Sequence, residues 1–351
     1  MQLEQFGWSP FFAEAFKELM PGLSAARVAM ASRGICRLWT GGGTLVARAG
    51  GAQQVVAGDW VACDPASPVI RAVLPRRTKL SRKQAGRVTA EQVLAANVDV
   101  LFVVTALDGD FNPRRLERYL LMAIEGGVAP VIVLNKADLC DDPLPVLRQA
   151  DRIAIAASRG AAAPEIPVVL LSALEERAAA KLSRFVSAGQ TAALAGSSGV
   201  GKSTIVNRLL GSERQRVEPV RASDNRGRHT TTARELFLLD RGWLLLDTPG
   251  LRELEPWAGP ESVRAVFEDV EHLAVQCRFS DCRHDGEPGC AVEQAVREGR
   301  LDSGRLAGLR KLEAELDHLA RKQDPRQAAE YKRKVRQIHR TMRHKPPRIP
   351  Q

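Results

Sequence analysis

The chain has 351 residues, 44% of them apolar and 26% charged, which is ordinary for a globular protein of two or three domains. No apolar run approaches the roughly 20 residues that a membrane-spanning helix needs, and the first residues lack the basic start of a secretory signal. Composition therefore excludes an integral membrane protein, and we expect a cytoplasmic monomer without a membrane partner.

The positive charge is unevenly placed along the chain. Of a formal net charge of +10, residues 321–351 contribute eleven Lys/Arg against two Asp/Glu, and residues 67–90 contribute seven Lys/Arg and no acid. Neutralising phosphates supplies most of the non-specific affinity for nucleic acids. Two basic stretches predict a polyanionic partner, although solvated surface faces would have the same composition.

The first 90 residues contain short β-type runs separated by glycines, which predict a small β-barrel. A short amphipathic helix, from about Pro10 to Leu19, precedes it. Residues 1–90 are therefore predicted to form the first domain.

From residue 93, near-continuous apolar runs such as "VDVLFVVTAL", "PVIVLN" and "QTAALAG" alternate with helix-like segments. Strands that are apolar on both faces are typical of a parallel sheet covered by helices, so residues 91–255 are predicted to form an α/β domain. A hairpin turning at Arg241-Gly242 predicts one antiparallel pair at the sheet edge. Residues 256–351 are predicted to be mostly helical.

"GSSGVGKS" at residues 196–203 fits the phosphate-loop pattern at every fixed position, between an apolar strand and a helix. Its glycines let backbone N–H groups face phosphate oxygens. Lys202 would reach the β- and γ-phosphates, and the Ser203 hydroxyl would bind Mg²⁺. The predicted contacts are Gly196, Ser197, Ser198, Gly199, Val200, Gly201, Lys202, Ser203 and Thr204.

The base is predicted by Asn135-Lys136-Ala137-Asp138, which ends a buried strand. The two acceptors of Asp138 match the N1–H and N2–H₂ donors of guanine and clash with adenine. Ser172 and Ala173 end the next apolar strand, where a main-chain amide would support the base. The nucleoside triphosphate that binds this phosphate loop is thus predicted to be GTP.

Asp247-Thr248-Pro249-Gly250 ends the hairpin strand. Asp247 is expected to hold Mg²⁺ through water, and the Gly250 N–H is expected to sense the γ-phosphate. Between the phosphate loop and this motif, residues 221–235 are polar, as a switch loop should be. We predict Thr231 as the Mg²⁺ ligand, with the register among residues 230–232 open.

Many such enzymes carry a glutamine after this motif to orient the attacking water, but this chain has Leu251. Leucine cannot hydrogen-bond water, so we predict His229 in this role beside the catalytic Lys202 and Thr231. An exposed loop histidine without a function is an equally simple interpretation.

Cys277, Cys282, His284 and Cys290 lie within fourteen residues, with the spacing C-x4-C-x-H-x5-C. Three thiolates and one imidazole form the usual ligand set of a closed, structural Zn²⁺ site. Because no export signal is present, metal binding is favoured over disulfides. The other three cysteines, Cys36, Cys63 and Cys140, are predicted to fill the core.

The motifs occur in the order base clamp, Ser-Ala loop, phosphate loop, switch threonines, D-T-P-G. That circularly permuted order resembles the RsgA (YjeQ) family of ribosome small-subunit-dependent GTPases. The matches are "NKAD", "GSSGVGKST", "GRHTTT", "DTPG" followed by leucine, and the Cys/His spacing; "DFNPRRLERYL" and "GDWV" are also similar to family sequence. The resemblance covers nearly the whole chain.

The resemblance implies an OB-fold front domain and a role late in 30S maturation. The barrel and zinc domain would contact 16S ribosomal RNA, and the particle would stimulate hydrolysis of GTP to GDP, with Mg²⁺ and one structural Zn²⁺. Two alternatives are a P-loop ATPase acting on RNA and a non-enzymatic RNA-binding regulator that holds GTP as a ligand. The permuted order also predicts that residues 251–257 lead directly into the zinc domain and transmit γ-phosphate loss to it.

Overall fold

The computed structural model describes residues 2–18, 22–50, 54–84, 90–162, 164–211, 234–247 and 257–323. The strands are β1 (Ser24–Ser32), β2 (Ile35–Thr40), β3 (Gly43–Ala49), β4 (Trp60–Asp64), β5 (Val69–Val73), β6 (Lys79–Lys83), β7 (Glu91–Ala96), β8 (Val100–Ala106), β9 (Ala129–Asn135), β10 (Val168–Leu170), β11 (Thr191–Ala195), β12 (Arg234–Leu238) and β13 (Leu244–Asp247). The helices are α1 (Pro10–Lys17), α2 (Pro113–Glu125), α3 (Leu144–Gly160), α4 (Ala178–Ser183), α5 (Lys202–Leu210), α6 (Pro260–Val266), α7 (Glu268–Ala274), α8 (Ala291–Arg297) and α9 (Ser303–Gln323).

Strands β1 to β5 form the predicted barrel. Their order is β1-β2-β3-β5-β4, and β4 pairs back with β1 to close it, with β3 parallel to β5 and the other pairs antiparallel. This closed five-stranded arrangement is the OB-fold. Alternate apolar side chains point inward, among them the fully buried Val28, Leu38 and Val61, and two predicted core cysteines, Cys36 and Cys63, lie with them.

The central sheet is parallel, in the order β10-β9-β8-β11-β13, with β12 antiparallel beside β13. Strand β8 is buried at all seven positions, as expected for a strand covered on both faces. Helix α2 packs against β8 and β9, and α3 packs against β9 and β10. The predicted α/β domain with a permuted strand order is confirmed.

The predicted edge position of the β12–β13 hairpin is wrong. Strand β12 also pairs with barrel strand β1, with Met30 opposite Glu235 and Ala31 opposite Arg234. Barrel and central strands therefore form one eleven-stranded sheet. The sequence of the hairpin indicates that the free edge of β12 either faces solvent or pairs with another strand. It cannot show that the pairing strand is β1, about two hundred residues earlier in the chain.

A buried arginine joins the barrel to the central domain. Arg27 of β1 is 2% exposed, and its guanidinium donates to Phe6 O (3.2 Å), Asn97 O (3.0 Å) and Thr191 Oγ1 (3.1 Å). It also lies 5.3 Å from the ring centroid of Trp60. Burial lowers the pKa of Arg27 to about 10, so the side chain stays charged at neutral pH. The first residue of β11, which leads to the phosphate loop, is thus bonded to the barrel.

The chain divides into two compact units, Met1–Lys83 with Glu91–Glu271, and Gln84–Ala90 with His272–Gln351. Helix α6 belongs to the first unit and packs against α2 and α3. Glu125 Oε2 accepts bonds from Gly259 N (3.0 Å) and Ser262 Oγ (2.6 Å). The prediction that the chain passes directly from the D-T-P-G region into the zinc domain is therefore wrong, because it first returns to the central domain.

The second unit contains the Cys/His cluster, α8, α9 and the end of α7 from His272 onward. Among the described residues of this unit, the buried side chains come mainly from α8 and α9. They are Cys290, Val292, Ala295, Leu301, Arg305, Leu306, Leu309 and Leu312. Among the helices of the described residues, none is long and apolar enough to cross a membrane.

Candidate nucleotide site and metal cluster

Five parallel strands place the predicted nucleotide motifs at one edge of the sheet. The base clamp follows β9, the Ser-Ala loop follows β10, the phosphate loop follows β11, and Asp247 ends β13. Ligands of open α/β sheets bind at the carboxyl ends of the strands, where all four motifs meet. The base-clamp strand, β9, precedes the phosphate-loop strand, β11, in the chain, yet both belong to the same parallel sheet and end on the same side of it.

The phosphate loop depends on close backbone contacts that only glycine permits. Gly201 has a φ of +93°, and a Cβ there would lie 2.3 Å from Asn135 Nδ2. A Cβ on Gly196 would lie 2.2 Å from Val104 O. Helix α5 begins at Lys202, directly after Gly201, so the positive end of its dipole faces the loop.

Lys202 already contacts the loop that it is predicted to serve. Its Nζ donates to Gly196 O at 2.7 Å and also to Ser197 O. Ser203 and Thr204 follow in the first turn of α5 and are half-buried. A triphosphate in the loop would meet the ammonium of Lys202 together with the N–H groups of this helix end.

Asn135 connects the two halves of the site. Its side chain is 1% exposed; Nδ2 donates to Val200 O at 2.8 Å, and Oδ1 accepts from Ala173 N at 3.0 Å. Val200 belongs to the phosphate loop and Ala173 to the Ser-Ala loop. A single amide therefore fixes the distance between the predicted phosphate and base sites.

The remaining base-clamp residues lie where a ligand could reach them. Lys136 adopts a left-handed backbone with φ of +61° and forms an ion pair with Asp108. Asp138 is exposed in a short 3-10 turn, Ala137–Leu139. Ser172 is buried, and its hydroxyl accepts from Leu174 N at 3.3 Å. The Asp138 carboxylate is therefore accessible for recognition of a guanine edge.

The predicted Mg²⁺ ligands are only partly within the described residues. Ser203 and Asp247 are described, and both are half-buried. Thr231, Gly250 and His229 lie outside the described residues. Their predicted roles therefore stay predictions.

Four further side chains support the site and were not predicted. Arg208 of α5 donates to Ala173 O (3.4 Å) and Leu174 O (2.8 Å), which holds the Ser-Ala loop. Asp108 and Asp110 come from the turn after β8 and Arg115 from the first turn of α2; they contact Lys136 and Ser197. They lie in and beside "DFNPRRLERYL", where the family similarity was a signal without an assigned role.

The four predicted metal ligands come together. The ligand atoms of Cys277, Cys282, His284 and Cys290 all lie within 4.8 Å of one another, and His284 Nδ1 is 3.6 Å from Cys277 Sγ and 3.5 Å from Cys290 Sγ. A tetrahedral Zn²⁺ with ordinary bond lengths would separate sulfur and nitrogen by about 3.6 Å. The cluster could therefore bind a metal, and its dimensions suit zinc.

Two thiols of this cluster, those of Cys277 and Cys282, have pKa values shifted in opposite directions. Burial opposes ionisation of Cys277, but N–H groups of Val292 and Ala291 and the two other thiols lower its pKa below the ordinary value. Desolvation and the neighbouring Cys290 and Cys277 raise the pKa of Cys282 to about 12. A divalent cation would remove this conflict, because it stabilises all the thiolates at once.

The loop that carries the ligands has a constrained backbone. His284 has a φ of +61°, and Gly289 has a φ of +79°. A Cβ on Gly289 would lie 2.9 Å from the Cβ of Arg278, whose backbone N donates to Gly289 O. This close approach brings Cys277 and Cys290 to the same side of the loop.

The basic stretch at residues 67–90 is less free than its sequence suggests. Four of its seven cations form ion pairs with acids from neighbouring segments. These pairs are Arg71 with Asp64, Arg76 with Asp59, Arg77 with Asp99, and Lys79 with Glu91. Much of the positive charge of residues 67–90 is therefore compensated within the fold.

Comparison with known proteins agrees with this geometry. A profile of the RsgA GTPase family matches residues 73–257. A relative from Opitutus terrae, named small ribosomal subunit biogenesis GTPase RsgA, is 44% identical over 93% of this chain and 92% of its own length. A relative of the same name from Methanosarcina acetivorans is 38% identical over 90% of this chain and 86% of its own.

Solved structures show the same fold. The crystal structure of YjeQ from Thermotoga maritima has a TM-score of 0.60 and 26% identity, covering 84% of this chain and 98% of that one. YloQ, described as a circularly permuted GTPase, has a TM-score of 0.54 and 21% identity, covering 86% and 98%, which supports the fold alone. Together with the permuted strand order and the phosphate loop, these findings show that the chain belongs to the RsgA GTPase family of GTP-hydrolysing enzymes.

Proposed function

We propose that this GTPase acts in the biogenesis of the small ribosomal subunit, as the name of its curated relatives states for them. The observation that best supports guanine-nucleotide binding is the Asn135 side-chain amide, which forms hydrogen bonds with both the phosphate loop and the Ser-Ala loop. GTP and GDP would span these two loops, with the guanine at Asp138 and the phosphates at residues 196–204.

In this proposal, Mg²⁺ accompanies GTP and is held by Ser203, Thr231 and, through water, Asp247. Lys202 would stabilise the negative charge that develops on the γ-phosphate when water attacks it in line, and Mg²⁺, when bound, would supply further positive charge there. His229 orients the water, because Leu251 occupies the position where related enzymes use glutamine. The Gly250 N–H senses whether the γ-phosphate is present.

The proposed contacts with 16S ribosomal RNA lie on the barrel, β1 to β5, and on the second unit, which holds the Cys/His cluster. Support comes from the family and from basic charge: Arg33 and Arg48 are exposed on the barrel, and the sequence of residues 321–351 carries the basic excess. Zn²⁺ in the Cys/His cluster would be structural. We propose that the protein works in the cytoplasm as a monomer. Residues 91–255 form its nucleotide domain, and the other parts of the chain contact the particle.

The guanine assignment is tested by Asp138→Asn. The amide presents one acceptor and one donor, so the variant should lose affinity for GTP and gain it for the xanthosine nucleotide, by roughly two orders of magnitude for a mispaired buried edge. Titration of fluorescent guanosine, adenosine and xanthosine nucleotides measures this. Equal affinity of the wild type for GTP and ATP would contradict the assignment.

The ribosomal role is tested with purified 30S and 50S subunits. We expect salt-sensitive cosedimentation with 30S that depends on GTP analogue versus GDP, and faster GTP turnover with 30S added. His229→Ala should bind GTP normally but lose the stimulated turnover. Equal binding to both subunits in both nucleotide states would contradict the proposal.

A further inference from the structure

One turn contacts both halves of the proposed nucleotide site. It joins β8 to α2 and carries Asp108 and Asp110. Asp108 pairs with Lys136 of the base clamp, whereas Asp110 Oδ2 accepts from the hydroxyl of Ser197, the second residue of the phosphate loop, at 2.7 Å. The phosphate-side contact has no counterpart among the motifs that define the site.

Arg115 completes the phosphate-side contact. Its Nη1 donates to both oxygens of Asp110, at 2.9 and 3.0 Å, and also to Ser197 Oγ. Asn112 caps α2, and its Oδ1 accepts from the backbone N of Arg114 (3.0 Å) and of Arg115 (3.2 Å). The helix cap thus fixes the backbone from which Arg115 reaches the loop.

Ser197 is consequently held from two sides. Its hydroxyl is bonded to the Asp110–Arg115 pair, and its carbonyl accepts from Lys202 Nζ. Hydrogen bonds to charged groups are about twice as strong as neutral ones. A phosphate that draws Lys202 away from this carbonyl would leave the hydroxyl contact as the restraint on Ser197.

We propose that Asp110 and Arg115 are positioning residues of the phosphate loop, which act through Ser197 Oγ to hold the loop ready for the phosphates of both GTP and GDP. This inference rests on the proposed nucleotide site. Preorganisation lowers the ordering cost of binding and leaves the chemical step to other groups. Arg115 does not serve as a catalytic cation here, because Asp110 neutralises its charge and Ser197 is its contact in the loop.

The test measures affinities for GDP and a non-hydrolysable GTP analogue together with kcat and KM for GTP. Asp110→Asn, Arg115→Ala and Ser197→Ala should each weaken both affinities by about tenfold, the loss expected for one charged hydrogen bond. For Asp110→Asn and Arg115→Ala, kcat at saturating GTP should stay within about twofold, since uniform binding affects KM alone. Ser197→Thr keeps the hydroxyl and should retain the affinities.

A double-mutant cycle separates positioning from other roles. In the Ser197→Ala background, Arg115→Ala should cost no more than about twofold further, because contacts that act through one group are not additive. The control Arg71→Ala removes an exposed arginine that pairs with Asp64 at 3.3 Å on the barrel and should leave nucleotide affinity unchanged.

Two outcomes would overturn the proposal. A large fall in kcat for Arg115→Ala, kept in the Ser197→Ala background, would make Arg115 a group that touches the transferred phosphate. Unchanged affinities in all three variants would make the contact incidental. Thermal midpoints of unfolding identify any variant whose loss comes from misfolding. Failure of the proposed function itself would differ, because wild-type protein would then not bind guanine nucleotides.

Discussion

The two compact units of this chain achieve a fold by different means. The first has a continuous eleven-stranded sheet with a large buried apolar cluster behind the nucleotide edge and a smaller one inside the barrel. The second has the short helix α8, the long helix α9, a few buried residues on both, and a cluster of four side chains that could hold a metal ion. Apolar burial can stabilise the first without a ligand, whereas the second has a cluster that could bind a cation, which would then stabilise its thiolates.

Metal removal should reveal the largest difference between the two units. Chelation, or Cys277→Ser, should unfold the region around the cluster, because structural Zn²⁺ contributes about 10 kcal/mol or more of apparent binding free energy in small domains. Hydrogen exchange of residues 272–318 should rise sharply, while guanine-nucleotide binding by the first unit persists. Metal content before and after chelation identifies the ion.

The matched control for this experiment is Cys63→Ser in the barrel. Cys63 Sγ donates to Ser24 O at 3.4 Å, and a serine hydroxyl can keep that bond. This variant should retain its metal and its exchange protection near the cluster. Unchanged protection in the chelated wild type would show that the second unit does not need a cation, and the contrast between the units would be lost.

In the first unit, substitution of the buried Arg27 should lower the free energy of unfolding substantially. Arg27→Ala leaves the acceptors Phe6 O, Asn97 O and Thr191 Oγ1 without their donor, at about 1–3 kcal/mol for each buried group left unsatisfied. We expect a loss of about 3 kcal/mol or more in the free energy of unfolding, measured with urea.

Arg48→Ala is the matched control for Arg27, since Arg48 is an exposed arginine of the same barrel. Its effect should be within about 0.5 kcal/mol. Equal effects of the two substitutions would mean that the buried arginine does not hold the barrel to β11. Exchange near the metal cluster should be unchanged in both variants.

The smallest expected effect concerns the half-exposed ion pair between Arg37 of β2 and Glu235 of β12. Exposed pairs contribute about 0.2–1 kcal/mol, and salt screens them. A double-mutant cycle with alanine at both positions should give a coupling energy of about 0.5 kcal/mol at low salt that falls in high salt. A coupling several times larger would make this side-chain contact a principal link between barrel and sheet.

Local patterns made several elements predictable. The phosphate loop and α5 follow from glycines, Lys202 and an apolar periodicity that lie together in the chain, and β8 follows from a run that is apolar on both faces. The four cluster ligands were equally predictable from the sequence, because C-x4-C-x-H-x5-C confines them to fourteen residues. In each case one short segment contains the whole physical requirement.

Contacts between distant segments could not be predicted in this way. Asp110 meets Ser197 across 87 residues, and Arg27 meets Thr191 across 164. The ion pairs of the basic stretch likewise depend on where the fold places Asp59 and Asp99. A sequence pattern records the charge of a residue, but not the neighbour that compensates it.

The shared position of β12, between β13 and β1, has a practical consequence for shortened forms of the protein. A chain that lacks residues 1–90 would leave β12 with a row of unpaired N–H and C=O groups beside the exposed Leu238. Such a free strand invites pairing between molecules, through strand exchange or aggregation. In the intact chain, barrel strand β1 occupies this place, so a second copy cannot pair with β12 on that side.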